Sequence, residues 1–172
     1  IRLKIKSINM ESQFFFPFGQ SLKKVEQNDR SSKEAFVLGV YASAVHARWI
    51  DKNGKQKIAA LAVASEPEIF WRGENAEEII NGIQIPSELG KLTLQKDKRL
   101  NGPSGRALDE KYLKPLNLNR KTTWLCDLLP YSRVNENQKS AIEKHYTQDL
   151  IESVDYFNED ELDSNISLEE KE

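Results

Sequence analysis

One cysteine stands in the 172 residues, Cys126. A single thiol closes no internal disulfide, and an iron–sulfur cluster, which needs about four thiolates, is excluded with it. A cysteine-based metal site is excluded as well. Histidine is almost as scarce: His46 and His145 lie far apart in the chain, offer no metal-ligand spacing, and are left without a role. The sequence implies neither a metal nor a cofactor. Long apolar runs are missing too. No stretch approaches the roughly 18 residues of a membrane span, and Ile1-Arg2-Leu3-Lys4-Ile5 lacks a signal peptide's apolar region. These absences predict a globular protein of the cytoplasm with no membrane partner. The chain does not begin with Met, and Ser167 followed by Glu170 forms a capping box close to its last residue. The expectation is of a piece cut from something longer, a domain over 1–172 incomplete at its C-terminal end.

With 38% hydrophobic residues at this length, the chain can bury one core. The formal charge of -2 conceals an uneven distribution. Residues 147–172 form an acidic segment with ten Asp or Glu and a single Lys, which leaves 24 Lys or Arg against 17 acids in the residues before them. A basic body is compatible with a nucleic-acid partner, and equally with an ordinary solvated surface.

Along the chain, Ala35–Tyr41 is a continuous apolar run and predicts a strand buried on both faces, as in a parallel sheet. Ser21 to Asp29, with Leu22 and Val25 at helical spacing, predicts a short helix. Val45–Ile50 and Lys57–Ala64 flank Asp51-Lys52-Asn53-Gly54-Lys55, and an Asn-Gly pair between β-prone runs predicts a hairpin. Asn75 to Asn81 suits one or two helical turns stopped by Gly82, and the section to Leu100 suits loops. Arg106 to Leu113 places Leu108, Tyr112 and Leu113 on one helical stripe, and Thr122–Leu129 predicts a second buried strand ended by Pro130. Residues 137–154 carry Ile142, Tyr146, Leu150 and Val154 at helical spacing. The fold class expected is a three-layer α/β/α domain, with a short, mainly parallel sheet, a β-hairpin insertion after its first strand, and a pocket at the carboxyl ends of the strands. The first run and Trp124–Asp127 are expected as parallel neighbours joined by a helical crossover.

The most distinctive block is Gly102-Pro103-Ser104-Gly105-Arg106-Ala107-Leu108-Asp109, followed by Leu116-Asn117-Leu118-Asn119-Arg120 and Thr123-Trp124-Leu125-Cys126-Asp127-Leu128-Leu129-Pro130. In order and spacing it resembles the uracil-DNA glycosylase superfamily, particularly its bacterial branches. There, a Gly-Pro-Ser/Ala-Gly turn and a Leu-Asp helix lead through a Leu-Gly-Leu-x-Arg turn into a strand ending in Asn. The resemblance implies DNA as the partner and hydrolysis of the N-glycosidic bond of an extruded base. A DNA phosphate would sit at Gly102, Ser104 and Gly105, with Arg106 adding a charged contact. The plain alternative is a strand-to-helix turn with a serine near its cap.

Two departures shape the reading. The slot of the family's first signature resembles Gly39-Val40-Tyr41-Ala42-Ser43, where Val40 and Tyr41 stand in place of the acid or amide that positions water. Tyr41 and Ser43 are candidates for the pocket lining only. Asp127 falls where the glycosylases present Asn to the edge of the base. An ionised Asp offers acceptors alone, which favours a base with an exocyclic amine, such as cytosine or a modified cytosine, over uracil. The nearest acids able to serve catalysis are Glu66 and Glu68, with Phe70 and Trp71 beside them to stack the base. The alternatives are solvated loop carboxylates and two core aromatics, and, for the whole protein, a catalytically inactive DNA-binding module or a protein–protein adaptor. The superfamily's second signature, a His-containing loop that enters the minor groove, is not found in these residues.

Overall fold

The computed structural model describes residues 16–96, 99–133 and 140. Two small sheets make up its strand content, and the fold class is mixed α/β. Strand β1 (Ala35–Tyr41) pairs in parallel with β5 (Thr123–Leu129), with Phe36 opposite Trp124 and Gly39 opposite Asp127. This is the pairing expected from two short apolar runs joined by a crossover. Between them, β2 (Ala44–Ile50) and β3 (Gln56–Ser65) form the expected antiparallel hairpin. The Asp51 carboxylate accepts from the amides of Asn53 and Lys55, both at 2.9 Å, and Gly54 supplies the left-handed residue, with φ 79°. The local chemistry of the turn thus closes the hairpin without help from the core.

The hairpin sheet carries the larger core, in which Val45, Ala47, Trp49, Leu61 and Val63 meet Trp71 and Ile80 of the segment that follows. Helix α1 (Ala76–Asn81) stops at Gly82, as the glycine predicts. The region to Leu100, expected as loops, contains strand β4 (Lys91–Leu94), which joins the free edge of β2. Four residues give too short an alternation to be read from sequence; the edge of β2 and the Trp49 indole, which donates to Leu89 O at 2.7 Å, fix the segment. Helix α2 (Pro103–Ala107) starts earlier than its apolar stripe and runs into a π-helical turn, Leu108–Leu113. Leu108 and Leu113 pack with Leu125, Val37 and Ile69 on one face of the parallel pair.

Two further expectations are corrected. Strand β1 is not buried on both faces: Phe36, Leu38 and Val40 are 62, 57 and 59% exposed. Alternation sends them to the face opposite Val37, and the described helical segments cover only the Val37 side. Residues 21–29 are not helical either. They run along the outer edge of β5, where the Val25 amide donates to Pro130 O at 2.8 Å, and the Gln27 carboxamide accepts from Leu125 N at 2.6 Å and donates to Thr123 O at 3.3 Å. Satisfying that sheet edge overrides a weak local helix preference. The helical spacing in 137–154 and the capping box at Ser167 lie outside the described residues. Among the described residues no helix is long and apolar enough to cross a membrane.

Candidate active site

Glu66 leaves the end of β3 and turns inward to 5% exposure. Its Oε1 accepts from the Ser43 amide at 3.0 Å and its backbone N–H donates to Ser43 O at 3.4 Å, so β3's exit is tied to the link between β1 and β2. The Trp71 amide also donates to the carboxylate. Burial is the largest effect on this acid, and the charges of Asp127 and Glu68 add to it against the two amide contacts. The net result lifts the carboxyl from 4.5 to about 7. The buried acid therefore sits near half ionisation at neutral pH, the condition a general base needs.

Asp127 lies beside it near the carboxyl end of β5, and burial raises its carboxyl above the usual range. Its position depends on Gly39 across the parallel register. A Cβ built at Gly39 would fall 2.0 Å from Asp127 Oδ1 and 2.9 Å from Phe70 Cζ. The missing side chain at 39 is what lets the acid and the aromatic ring share that space. Phe70 is delivered there by an uncommon backbone: its φ is 50°, in the left-handed region. Asp127 and Phe70 thus meet at Gly39, toward the carboxyl ends of the parallel strands, and Glu66, held by the Ser43 amide, is near enough for the Asp127 charge to act on it.

The remaining sequence candidates are distributed otherwise. Glu68 is exposed and reaches the site only through its charge. Tyr41 is 43% exposed at the end of β1, on the strand face that carries Gly39. Ser43 contributes its backbone rather than its hydroxyl. Trp71 is corrected from base stacking to core: it is 2% exposed, packs with the hairpin cluster, and donates its indole N–H to Glu74 O at 2.9 Å.

The glycines of the 102–105 turn serve packing. A Cβ at Gly102 would meet the Arg72 carbonyl carbon at 1.9 Å, and one at Gly105 the Phe70 oxygen at 2.1 Å. Ser104 is exposed at the start of α2. The Arg106 guanidinium donates to Asn101 O at 2.7 Å and to Arg72 O, so it stitches the turn to the 70–73 loop.

Sequence reading passed over Asp109, Arg120 and Asn101. Arg120 donates through Nε to Asp109 Oδ1 at 2.8 Å and through its other nitrogens to Phe70 O at 2.7 Å, Ile69 O at 3.2 Å and Gly105 O at 3.3 Å. Asn101 is buried and exchanges two hydrogen bonds of 2.9 Å with the backbone of His46. The block quoted for the resemblance contains the first two, and their occurrence together with the Gly-Pro-Ser-Gly turn was the available signal.

A cleft of about 1010 Å³ lies elsewhere, between α1, the end of β4 and the 101–106 turn, with Gly73, Ala76, Asn81, Gln95 and Arg106 in its wall. Asp127 instead borders a smaller concavity of about 200 Å³ with Gln27, Ile69 and Cys126. The perturbed carboxyls make the Glu66 and Asp127 region the candidate site in preference to the wider cleft, whose titratable lining residues Glu77, Glu78 and Lys96 are exposed. Among the described residues no three His, Cys, Asp or Glu side chains gather to hold a metal. No protein-family model, curated protein or solved structure matches the chain.

Proposed function

We propose that the protein binds DNA and hydrolyses the N-glycosidic bond of an extruded base, with a preference for bases that carry an exocyclic amine. The single observation behind this reading is the buried Glu66 carboxyl near pH 7, set beside Asp127 and Phe70 at the carboxyl ends of two parallel strands. In the proposed reaction the ring of Phe70 stacks on the base and Asp127 accepts from its amine. The C1′–N bond breaks with its electron pair leaving on the base, and ionised Glu66 stabilises the oxocarbenium character that develops on the sugar. Water then forms the new C1′–O bond as Glu66 takes its proton, and the departing base is protonated from solvent. Glu66 supplies the acid that Val40 and Tyr41 lack, reached from the hairpin insertion instead of the first loop. The phosphate grip falls to the exposed Ser104 end of α2, since the Arg106 guanidinium is engaged with carbonyl oxygens.

The test is incubation with oligonucleotides that carry uracil, cytosine and modified cytosines, followed by alkali cleavage at abasic sites. Cleavage is expected for the amine-bearing bases, and Glu66→Gln should slow it by about 10²–10⁴-fold. Absence of abasic sites on every substrate refutes the hydrolase. One observation favours the second reading, a DNA-binding scaffold without chemistry: the Glu66 carboxylate already braces two loops through the Ser43 and Trp71 amides. On that reading DNA binds, no base is released, and Glu66→Gln leaves the affinity unchanged.

A further inference from the structure

Phe70 holds a backbone conformation that a phenylalanine seldom adopts, and the carbonyl groups on both sides of its N–Cα–C unit are gripped by one side chain. Arg120 donates to Ile69 O and to Phe70 O, while a third bond to Gly105 O fixes the same guanidinium to α2. Asp109, one helical turn beyond Gly105, receives the Nε–H of Arg120 and also faces Arg72 Nη1 at 3.5 Å. Next along the loop, Arg106 takes the Arg72 carbonyl. Gly105 approaches the Phe70 and Trp71 oxygens so closely that any Cβ there would collide with them. Two arginines therefore bind the carbonyl groups of Ile69, Phe70 and Arg72, and one glycine lets α2 approach the same loop closely.

We infer that Arg120, oriented by Asp109, is a positioning residue that locks Phe70 in its left-handed conformation and so places the aromatic ring against Gly39 and Asp127, where the base is to stack. The inference rests on the base-excision reading for the purpose of the clamp, though not for its existence. The planar fork explains the residue type. Only a guanidinium reaches a carboxylate and several carbonyls at once in fixed directions, and a lysine ammonium at the same place would surrender the alignment. The clamp also sets the Trp71 amide, the next donor in the chain, against the Glu66 carboxylate. Both the aromatic ring and the acid thus depend on one side chain that touches neither.

The experiment uses the full chain with Arg120→Gln, Arg120→Lys, Phe70→Ala and the Arg120→Gln/Phe70→Ala pair. Hydrogen exchange at the Trp71 amide and the titration of the Glu66 carboxyl, both followed by nuclear magnetic resonance, read the geometry without any substrate. Arg120→Gln should speed Trp71 exchange by about tenfold or more and raise the Glu66 midpoint, because the carboxylate loses the Trp71 amide that favours its charged form, and Arg120→Lys should do so to a smaller extent. A fall in melting temperature with both readouts unmoved makes Arg120 a structural staple only and overturns the inference. If Arg120→Gln fails to fold, Arg120→Lys carries the same two readouts. In the second arm, an oligonucleotide with 2-aminopurine beside the target base reports binding. Arg120→Gln and Phe70→Ala should each weaken it about tenfold, and the double variant no further, because both remove the same stacked ring. Additive losses contradict the clamp. Failure of the wild-type chain to bind any oligonucleotide sinks the base-excision reading, and the clamp is then decided by Trp71 and Glu66 alone.

Discussion

Glu66 makes the clearest quantitative claim at the scale of single residues. Its carboxyl is raised in the folded state, from 4.5 to about 7, so folding favours the protonated form. The stabilising contribution is complete below pH 4.5 and is lost as pH rises through 7. Glu66→Gln, which keeps an oxygen for the Ser43 amide, should therefore raise stability at pH 8 by about 1–3 kcal/mol and change little at pH 4. Urea unfolding at the two pH values measures this, and an equal effect at both removes burial of the charge as the cause. Asp127 sets the choice of base in the proposed site. Asp127→Asn restores a donor and should move preference from cytosine-type bases toward uracil by about 1–3 kcal/mol, as read in competition binding on matched substrates. Unchanged preference would leave Asp127 as a strand-end residue. Gly39→Ala should act on the same discrimination from the other side of the register, because the new Cβ occupies the place of Asp127 Oδ1 and must displace it.

At the scale of elements, the turn, helix and strand from Gly102 to Leu129 act as one unit against the 69–73 loop. Gly102 and Gly105 are its tightest points among the described residues. Gly105→Ala drives a methyl against two backbone oxygens that cannot rotate away, and should cost about 1–3 kcal/mol or more, with the loss visible as a lower thermal midpoint. Arg106→Ala should also destabilise, by about 1.5–3 kcal/mol, since it leaves the Arg72 and Asn101 carbonyls without their charged donor. If Arg106→Ala instead keeps its stability and lowers affinity for all DNA sequences alike, the guanidinium is a phosphate ligand after all. The hairpin and strand β4 form a separate element around Trp49, whose indole bond to Leu89 O holds the β4 approach. The left-handed Phe70 sits on the segment that joins the two elements and is governed by both.

For the molecule as a whole, charge is divided by position in the chain. The 24 basic residues before 147 outnumber 17 acids, while the acidic segment 147–172 carries ten acids against one Lys. An acidic segment competes with a phosphate backbone for a basic surface. Removing residues 147–172 should accordingly raise DNA affinity at low salt, and the gain should shrink as ionic strength increases. Fluorescence anisotropy across a salt series checks it, and a gain independent of salt would count against an electrostatic origin.

Much of the framework is set by short-range chemistry that the sequence displays. Asn53-Gly54 makes the hairpin turn, the apolar runs at 35–41 and 123–129 pair in parallel, and Gly82 ends α1, since each depends on propensities or patterns local to those residues. The acids and the ring of the site, Glu66, Asp127 and Phe70, could be named for the same reason, because their residue types and neighbours carry the chemistry. What the sequence did not contain was their relation in space. Trp71 reads as well as Phe70 for a stacking aromatic, and only the folded chain separates them, burying Trp71 in the hairpin core and leaving Phe70 half-buried beside Gly39. Residues 21–29 look helical until the unpaired edge of β5 claims their amides and the Gln27 carboxamide. Arg106 looks like a phosphate ligand, and Arg120 carries no assigned role, until the folded loop presents both with carbonyl oxygens. Sequence determined which groups were available and the nearest-neighbour geometry around each. The tertiary structure decided which were desolvated, because burial and long-range hydrogen bonding depend on segments brought together from opposite ends of the described chain.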